Sequence, residues 1–349
     1  GDKERIDKIT DIEKELYNPA ASFGLSVGIG QNRFTMKHGS FIYKQTFRKK
    51  IVLRAAEKEE QNGCMLFWFE HPSLPDRIGL SQREEDGRYV LSLILPENSP
   101  WNRFWLTLPP RADEHTYGCG EVYSTLDLKG ERVRIWAAEH QNALRIGQKI
   151  IREKILGQRL HPARKVDRYE SYYAQPTFVS GDRYYLHADV NAYAEFDFRL
   201  ADRTVLYFQE PPVLYYGKCR SFLEISRSLS SLLGRQPALP EWIYDGAIIA
   251  VQGGTEVVEK KIRKAVETGA KVCGVWSQDW CGFRKTGFGY QVMWNWEWDR
   301  ALYPGLDSRI VKWKDQGIRF LGYINPFLAL EGDLYRFAAE NGCCVKNAA

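Results

Sequence analysis

Between residues 272 and 299 the sequence sets Gln278, Asp279, Arg284, Gln291 and Asn295 among Trp280, Trp294, Trp296 and Trp298. Amides and a carboxylate offer directional hydrogen bonds, and indole faces offer flat apolar area. That combination suits a ligand with apolar faces and many hydroxyls, and a sugar ring meets the description. The stretch begins as a short apolar run, Val272 to Trp276, which reads as a buried strand. The polar and aromatic residues after it then form a long loop, and loops of more than about 12–15 residues in compact domains usually serve function. The same residues also fit a Trp-rich patch of core beneath such a loop.

The elements that must position this stretch repeat a pattern. Residues 244–251 are nearly unbroken in their apolarity, as expected of a parallel strand covered on both faces. Gln252-Gly253-Gly254 ends that run, and Thr255 is placed to cap a helix over 255–268, with Val258, Ile262, Ala265 and Val266 on one face. Residues 272–276 are the next strand. Asp307 or Ser308 caps a second helix running to Gly317, residues 319–324 are a third strand, and residues 333–340 a third helix stopped by Asn341-Gly342. Alternating strands and helices imply right-handed parallel crossovers, hence a doubly wound sheet or a barrel. In both, ligands bind at the carboxyl ends of the strands. Gln252, then Gln278-Asp279-Trp280, then Asn325 follow the three strands directly.

The first part of the chain has a different character. Residues 24–30, 33–39, 41–47, 50–56, 65–71, 87–95 and 103–109 are short β-branched or aromatic runs, separated mostly by Gly, Pro, Asn or Asp. Their spacing predicts an antiparallel β-sandwich. Glycines alternating in Tyr117-Gly118-Cys119-Gly120 signal a bulge or the close approach of backbone or ligand. Residues 2–16 are charged and read as a helix or a frayed terminus, and residues 139–167 as a basic loop. Residues 222–233 have helical spacing, and Pro237 and Pro240 then mark a boundary between a domain over 1–236 and one over 237–349.

Composition narrows the function classes. The chain is 44% hydrophobic and 27% charged, with 49 basic and 44 acidic residues spread throughout for a net charge of +5. No run of like charge is long enough for a nucleic-acid or membrane patch; Arg48-Lys49-Lys50 reads as a solvated turn. No 18-residue apolar run and no signal peptide occurs, so membrane insertion is not expected. The seven Cys include no CxxC pair and sit mostly beside apolar residues, which fits a reducing compartment and favours the cytoplasm. The chain begins at Gly1 rather than Met, which leaves its natural N-terminus and any targeting signal open. The six His are scattered, and Gln252-Gly253-Gly254 is too short to cradle a phosphate, so neither metal nor cofactor is expected.

Taken together, Trp276-Ser277-Gln278-Asp279-Trp280, Gly287-Phe288-Gly289, Trp294-Asn295-Trp296 and Gly322-Tyr323-Ile324-Asn325-Pro326-Phe327 resemble glycoside hydrolase family 31, and within it the sulfoquinovosidase branch. The likeness runs back through Tyr117-Gly118-Cys119-Gly120-Glu121, Leu126-Asp127-Leu128-Lys129-Gly130 and Gln175-Pro176-Thr177-Phe178. The resemblance implies a mixed fold, an N-terminal antiparallel β-sandwich followed by the first three βα units of a (β/α)8 TIM barrel. It also implies retaining hydrolysis of an α-glycoside by two Asp residues, a chemistry that needs two carboxyls about 5–5.5 Å apart. The ligand is then a small-molecule or glycolipid-derived α-glycoside.

A barrel takes about 250 residues, more than remain after Ile243. The family keeps its catalytic pair on later strands, and none of Asp245, Asp279, Asp299 and Glu331 sits at such a position. The pair is therefore expected beyond Ala349, and no catalytic residue is assigned here. The resemblance does place a substrate wall in this chain: Gln252, Gln278, Asp279, Trp280, Gln291, Trp294 and Asn325. Gln252, Gln278 and Trp294 match three members of the branch's Gln-Gln-Arg-Trp set, while Gln291 stands at the Arg position. A guanidinium gives a sulfonate charged, forked hydrogen bonds that an amide cannot. Either Arg284 or Lys285 would have to supply that charge, or the substrate is a neutral α-glucoside. A non-catalytic, carbohydrate-binding homologue is the remaining alternative. Residues 1–349 alone are expected to turn over no nitrophenyl α-glycoside; measurable hydrolysis by this chain would put the catalytic carboxylates inside it.

Overall fold

The computed structural model describes residues 24–37, 40–109, 114–122, 124–137, 171–287 and 289–345. The segments read above as a charged terminus over 2–16 and a basic loop over 139–167 lie outside the described residues. Contacts divide the chain into two units, Gly1–Arg235 and Gln236–Ala349.

The first unit is built from strands β1 (Gly24–Lys37), β2 (Ser40–Val52), β3 (Arg54–Gln61), β4 (Cys64–Glu70), β5 (Ile78–Glu85), β6 (Arg88–Ile94) and β7 (Arg103–Leu108). After them come β8 (Thr116–Gly120), β9 (Arg132–Ile135), β10 (Ala174–Ser180), β11 (Tyr184–Asp189), β12 (Ala194–Asp197), β13 (Thr204–Phe208), β14 (Val213–Lys218) and helix α1 (Phe222–Leu233). The strands form a six-stranded sheet, β2-β1-β7-β13-β12-β9, and an eight-stranded sheet, β3-β4-β5-β6-β14-β11-β10-β8. Strand pairs within both run antiparallel.

Period-two alternation explains how the two sheets meet. Leu25 and Val27, Phe104 and Leu106, and Ala194 and Phe196 point inward from the six-stranded sheet. Phe67 and Phe69, Ile78 and Leu80, and Leu186 and Ala188 do so from the eight-stranded one, and all fall in one buried cluster. Phe196 is fully buried there, its ring centroid 5.9 Å from that of Phe178 and 6.0 Å from that of Phe208.

Several local expectations change. The run 24–30 and the described part of the run 33–39, up to Lys37, lie in one long strand, β1. Arg48, Lys49 and Lys50 are inside β2 rather than in a turn, with the Lys50 ammonium 4.3 Å from the Trp105 ring centroid. Strand β3 has no apolar face, and β5 is half polar. Both form because Asn62-Gly63 and Asp86-Gly87, all at positive φ, make two-residue turns that fold each onto an apolar partner. The alternate glycines of β8 serve backbone approach: a Cβ on Gly118 would lie 2.7 Å from the Thr177 carbonyl oxygen, where the β8–β10 register shifts.

In the second unit a 3-10 turn, Glu241–Tyr244, precedes β15 (Ala247–Ala250), α2 (Thr255–Glu267), β16 (Val272–Ser277), the hairpin β17 (Phe283–Thr286) and β18 (Gly289–Val292), α3 (Leu306–Asp315), β19 (Arg319–Gly322) and α4 (Asp333–Glu340). Strands β15, β16 and β19 form a parallel sheet with β16 in the centre. Val258 and Ile262 of α2 meet Leu306 and Trp313 of α3 in one cluster with Val275 of β16. The run 244–251 is not a strand covered on both faces. Only four of its residues are in β15, where Ile248 is 41% exposed, and Tyr244 is 74% exposed in the turn. As an edge strand among the described residues, β15 lacks the second flank that would bury it.

The helix starts also differ from expectation. Gly254 and Gly305 hold the N-cap positions of α2 and α3, with no side-chain cap, so Thr255 becomes the first helical residue and Asp307 and Ser308 fall in the first turn. Among the described residues no helix is long and apolar enough to cross a membrane.

Truncating Phe196 removes a ring from the centre of the sandwich. Phe196→Ala is expected to destabilise the first unit by about 3–5 kcal/mol. Urea unfolding followed by tryptophan fluorescence reads the shift, and a loss below about 1 kcal/mol would contradict this packing.

Candidate functional site

The three parallel strands end level with one another. Ala250 pairs with Trp276, and Ser277 with Gly322. The ladder runs one step further, with the Val251 amide donating to the Trp276 carbonyl at 2.9 Å and the Tyr323 amide to the Ser277 carbonyl at 3.1 Å. Gln252, Gln278-Asp279-Trp280 and Asn325 therefore emerge from one edge of the sheet.

Asp279 turns inward. It is 0% exposed, and its Oδ2 accepts the Gly253 amide at 2.7 Å. Its Oδ1 accepts the Ser277 hydroxyl at 3.1 Å and the Tyr303 hydroxyl as well. The Ser277 and Tyr303 hydroxyl oxygens lie 2.6 Å apart, so two hydroxyl protons serve the three contacts among these oxygens. A buried carboxylate is tolerated only when hydrogen bonds replace its hydration, and here protein donors do so. Burial is the main cause that raises the Tyr303 phenol above its ordinary range, and the bond to Asp279 adds to it.

With Gly253 pinned, Gln252 is brought to Gln278. The Gln252 amide nitrogen donates to the Gln278 Oε1 at 2.6 Å, Gln252 being exposed and Gln278 half-buried. Each carboxamide keeps further donor and acceptor capacity facing outward. Asn325 is held from below: its Nδ2 donates to the Tyr323 hydroxyl at 2.9 Å and its Oδ1 accepts the Phe327 amide at 2.8 Å.

The long loop expected after residue 277 contains the β17–β18 hairpin. Arg284 pairs with Gln291 and Lys285 with Tyr290 across it. The tryptophans mostly bond to backbone. Trp280 Nε1 donates to the Tyr323 carbonyl at 2.8 Å, Trp296 to that of Asn325 at 3.0 Å and Trp298 to that of Tyr303 at 2.6 Å. Trp294 differs: its carbonyl accepts the Ala329 amide at 2.9 Å and its ring lies 6.4 Å from that of Phe327, but its buried Nε1 has no acceptor among the described residues.

The structure thus joins Gln252, Gln278 and, through Gly253, Asp279 in one hydrogen-bonded group. Trp280 and Asn325 attach to it through Tyr323, while Gln291 and Trp294 belong to the hairpin and the 325–331 segment. The sequence names Arg284 as a candidate cation but does not show its pairing with Glu331, at 2.8 Å, and it does not mark Tyr303 at all. Tyr303 sits in an ordinary-looking turn with no motif to mark it. Arg284 had a signal, since Gly287 and Gly289 place a hairpin turn that sets it opposite Gln291. A backbone bond and the Arg284 guanidinium hold the Glu331 carboxyl below the usual range. Asp299 is occupied in a turn, where its Oδ1 accepts the Ala301 and Leu302 amides, each at 2.9 Å. Among the described residues no group of three or more His, Cys, Asp or Glu side chains is placed to hold a metal ion.

No family model matches the chain. It is 37% identical over 331 residues to a sulfoquinovosidase of Escherichia coli (strain K12), covering 93% of this chain and 47% of that protein. It is 35% identical over 318 residues to a sulfoquinovosidase of Agrobacterium fabrum, covering 90% and 46% respectively. The solved structure of a GH31 family sulfoquinovosidase from E. rectale, in complex with an aza-sugar inhibitor, superposes with a TM-score of 0.80 at 32% identity, over 91% of this chain and 46% of that one. The chain spans about half the length of the relatives it matches.

Asp279→Asn tests the anchor. An amide keeps one acceptor oxygen and puts an NH2 where the other oxygen stood, so one of the three donors loses its acceptor or has to turn. The substitution is expected to cost about 1–3 kcal/mol of stability, read by urea unfolding of the second unit's tryptophans, and an unchanged midpoint would remove Asp279 from this role.

Proposed function

We propose that this chain, a member of the sulfoquinovosidase-like branch of glycoside hydrolase family 31, is the substrate-side part of a retaining α-glycosidase acting on small sulfoquinovoside-like α-glycosides. The observation that carries the reading is the Gln252–Gln278 hydrogen bond at the carboxyl ends of two adjacent parallel strands. Two linked carboxamides form a fixed array of donors and acceptors for neighbouring sugar hydroxyls, and Trp294 adds an aromatic wall.

In this reading residues 237–349 are the first three βα units of a (β/α)8 barrel, following an N-terminal sandwich domain over 1–236. Strand ends are where such barrels gather their active sites. The chain's own side chains bind and orient the sugar. No carboxylate in it is assigned as nucleophile or acid/base: Asp279 is enclosed by protein donors, Asp299 serves a turn, and Glu331 pairs with Arg284. Trp280 and Asn325, each held through Tyr323, complete the wall, and Asp279 works beneath it as a positioning residue.

One observation favours a second reading, a neutral-sugar α-glucosidase. Gln291 puts an uncharged amide where the family resemblance expects a guanidinium, and an amide does not balance a permanent anion.

Activity is to be measured with protein made from its complete reading frame, on 4-nitrophenyl α-sulfoquinovoside and 4-nitrophenyl α-glucoside. Preference for the first supports the leading reading and preference for the second supports the alternative. Gln278→Ala is expected to lower kcat/KM about 10- to 100-fold, as the loss of one or two hydrogen bonds of about 1–1.5 kcal/mol each implies. Unchanged kcat/KM in a folded variant would take Gln278 out of the sugar site.

A further inference from the structure

Strand pairing gathers a charge that the sequence spreads out. Residues 24–52, which span β1 and β2, contain six Lys and Arg and no Asp or Glu, while the whole chain carries a net charge of +5. The rest of the chain is therefore close to neutral, and the excess belongs to these two strands. Strand β1 pairs with β7 only as far as Gly28, whereas its pairing with β2 continues to Lys37. From Gly30 onward the two strands form a ribbon with no third strand beside them among the described residues.

Opposed residues of an antiparallel pair share a face, and successive residues alternate faces. Phe34 is opposed to Tyr43, Asn32 to Gln45 and Gly30 to Phe47, which makes one face of the ribbon aromatic and amide. That face turns to its own unit: Phe34 stacks on Trp136 with ring centroids 5.8 Å apart, and Tyr43 on Tyr193 at 4.4 Å. The other face carries Arg33 opposed to Lys44 and Gln31 opposed to Thr46, all of them exposed. Arg48, the extra residue where the register shifts opposite Ile29 and Gly30, and Lys49 extend the basic strip and are exposed as well. None of Arg33, Lys44, Arg48 and Lys49 has an ion pair among the described residues. The acids on the strands of this sheet are Glu195 and Asp197, both on β12 beyond β7 and β13, and Arg132 and Arg199 already bind them.

Like charges directly opposed across two strands repel, and the register holds Arg33 and Lys44 in that arrangement. An anion laid across both relieves the repulsion. A flat two-stranded face bearing Arg33, Lys44, Arg48 and Lys49 suits an extended anionic surface better than a single small anion. Phe34 and Phe47 are 50% and 51% exposed at the margin of the ribbon, and aromatic rings are favoured where lipid headgroups meet water. We propose that the exposed face of the β1–β2 ribbon docks the protein peripherally on a membrane surface rich in anionic lipid. The attachment is electrostatic and requires no helix that crosses the bilayer. It does not depend on which sugar the second unit binds, so it stands apart from the functional reading above.

The test is cosedimentation of protein made from its complete reading frame with vesicles of phosphatidylcholine, alone or mixed with phosphatidylglycerol. Binding is expected to the mixed vesicles and not to the neutral ones. It should fall as salt is raised from about 0.1 M to about 1 M, where the Debye length shrinks from about 10 Å to about 3 Å. Each surface cation is worth about fivefold in partitioning, so Arg33→Gln/Lys44→Gln is expected to lower it about 10- to 30-fold. Lys260→Gln/Lys264→Gln, at exposed positions of α2, removes the same charge elsewhere and is expected to change partitioning less than about threefold. If the ribbon double variant does not fold, Lys44→Gln alone carries the comparison, with a loss of about fivefold. No binding to the mixed vesicles, equal binding to the neutral ones, or equal losses in the two double variants overturns the proposal. Tighter binding to a DNA oligonucleotide at the same phosphate concentration also overturns it, by making the ribbon a nucleic-acid contact.

Discussion

The burial of one carboxylate organises the second unit. Asp279 has no contact with solvent, and a charge in that position is tolerable only because the Gly253 amide and the Ser277 and Tyr303 hydroxyls converge on it. Those donors come from the loop after β15, from the end of β16 and from the segment leading into α3. A single side chain therefore ties together three pieces of chain that are distant in sequence. Gln252 has little freedom once the next amide is held, and its bond to Gln278 is the consequence. The outward-facing amides are ordered by an inward-facing acid.

The tryptophans divide along similar lines. Two readings stood open for this stretch, a ligand wall and a patch of core under a loop, and the structure contains elements of both. Trp280, Trp296 and Trp298 give their indole N–H groups to backbone carbonyls and so staple the polypeptide around the strand ends. Trp294 gives its own to no described group. Fixed aromatic neighbours reduce the conformational entropy that a ligand would otherwise have to overcome, which is how a frame assists a site without touching the ligand.

How much was legible depended on whether a signal was local. In the sandwich, Phe67/Phe69 and Phe104/Leu106 alternate strongly enough to be read as strands with one buried face. Strand β3, Arg54–Gln61, has no such alternation, and the run read over 50–56 reaches only its first residues, because the rest is held by a turn and a partner strand rather than by its own burial. The helices over 255–267 and 306–315 were legible from their apolar faces, but their first residues were not. Glycine N-caps leave no side-chain oxygen to mark the start, so the sequence points to Thr255, and to Asp307 or Ser308, which lie inside the helices.

By itself the sequence determined the alternation of strands and helices after Pro240, the β-rich character before it, and the residue types that gather where three strands end. These follow from periodicity and from the placement of Gly, Pro and amides along the chain, which need no knowledge of distant partners. Only the tertiary structure decided what each polar group does. Asp279 and Gln278 are adjacent in sequence, yet successive residues at a strand end point to opposite sides, so one is enclosed and the other faces outward. Tyr303 and Arg284 acquire their roles from partners 24 and 47 positions away in the chain. Such partnerships are set by how the backbone folds back on itself, and the Trp-rich stretch alone does not contain that information.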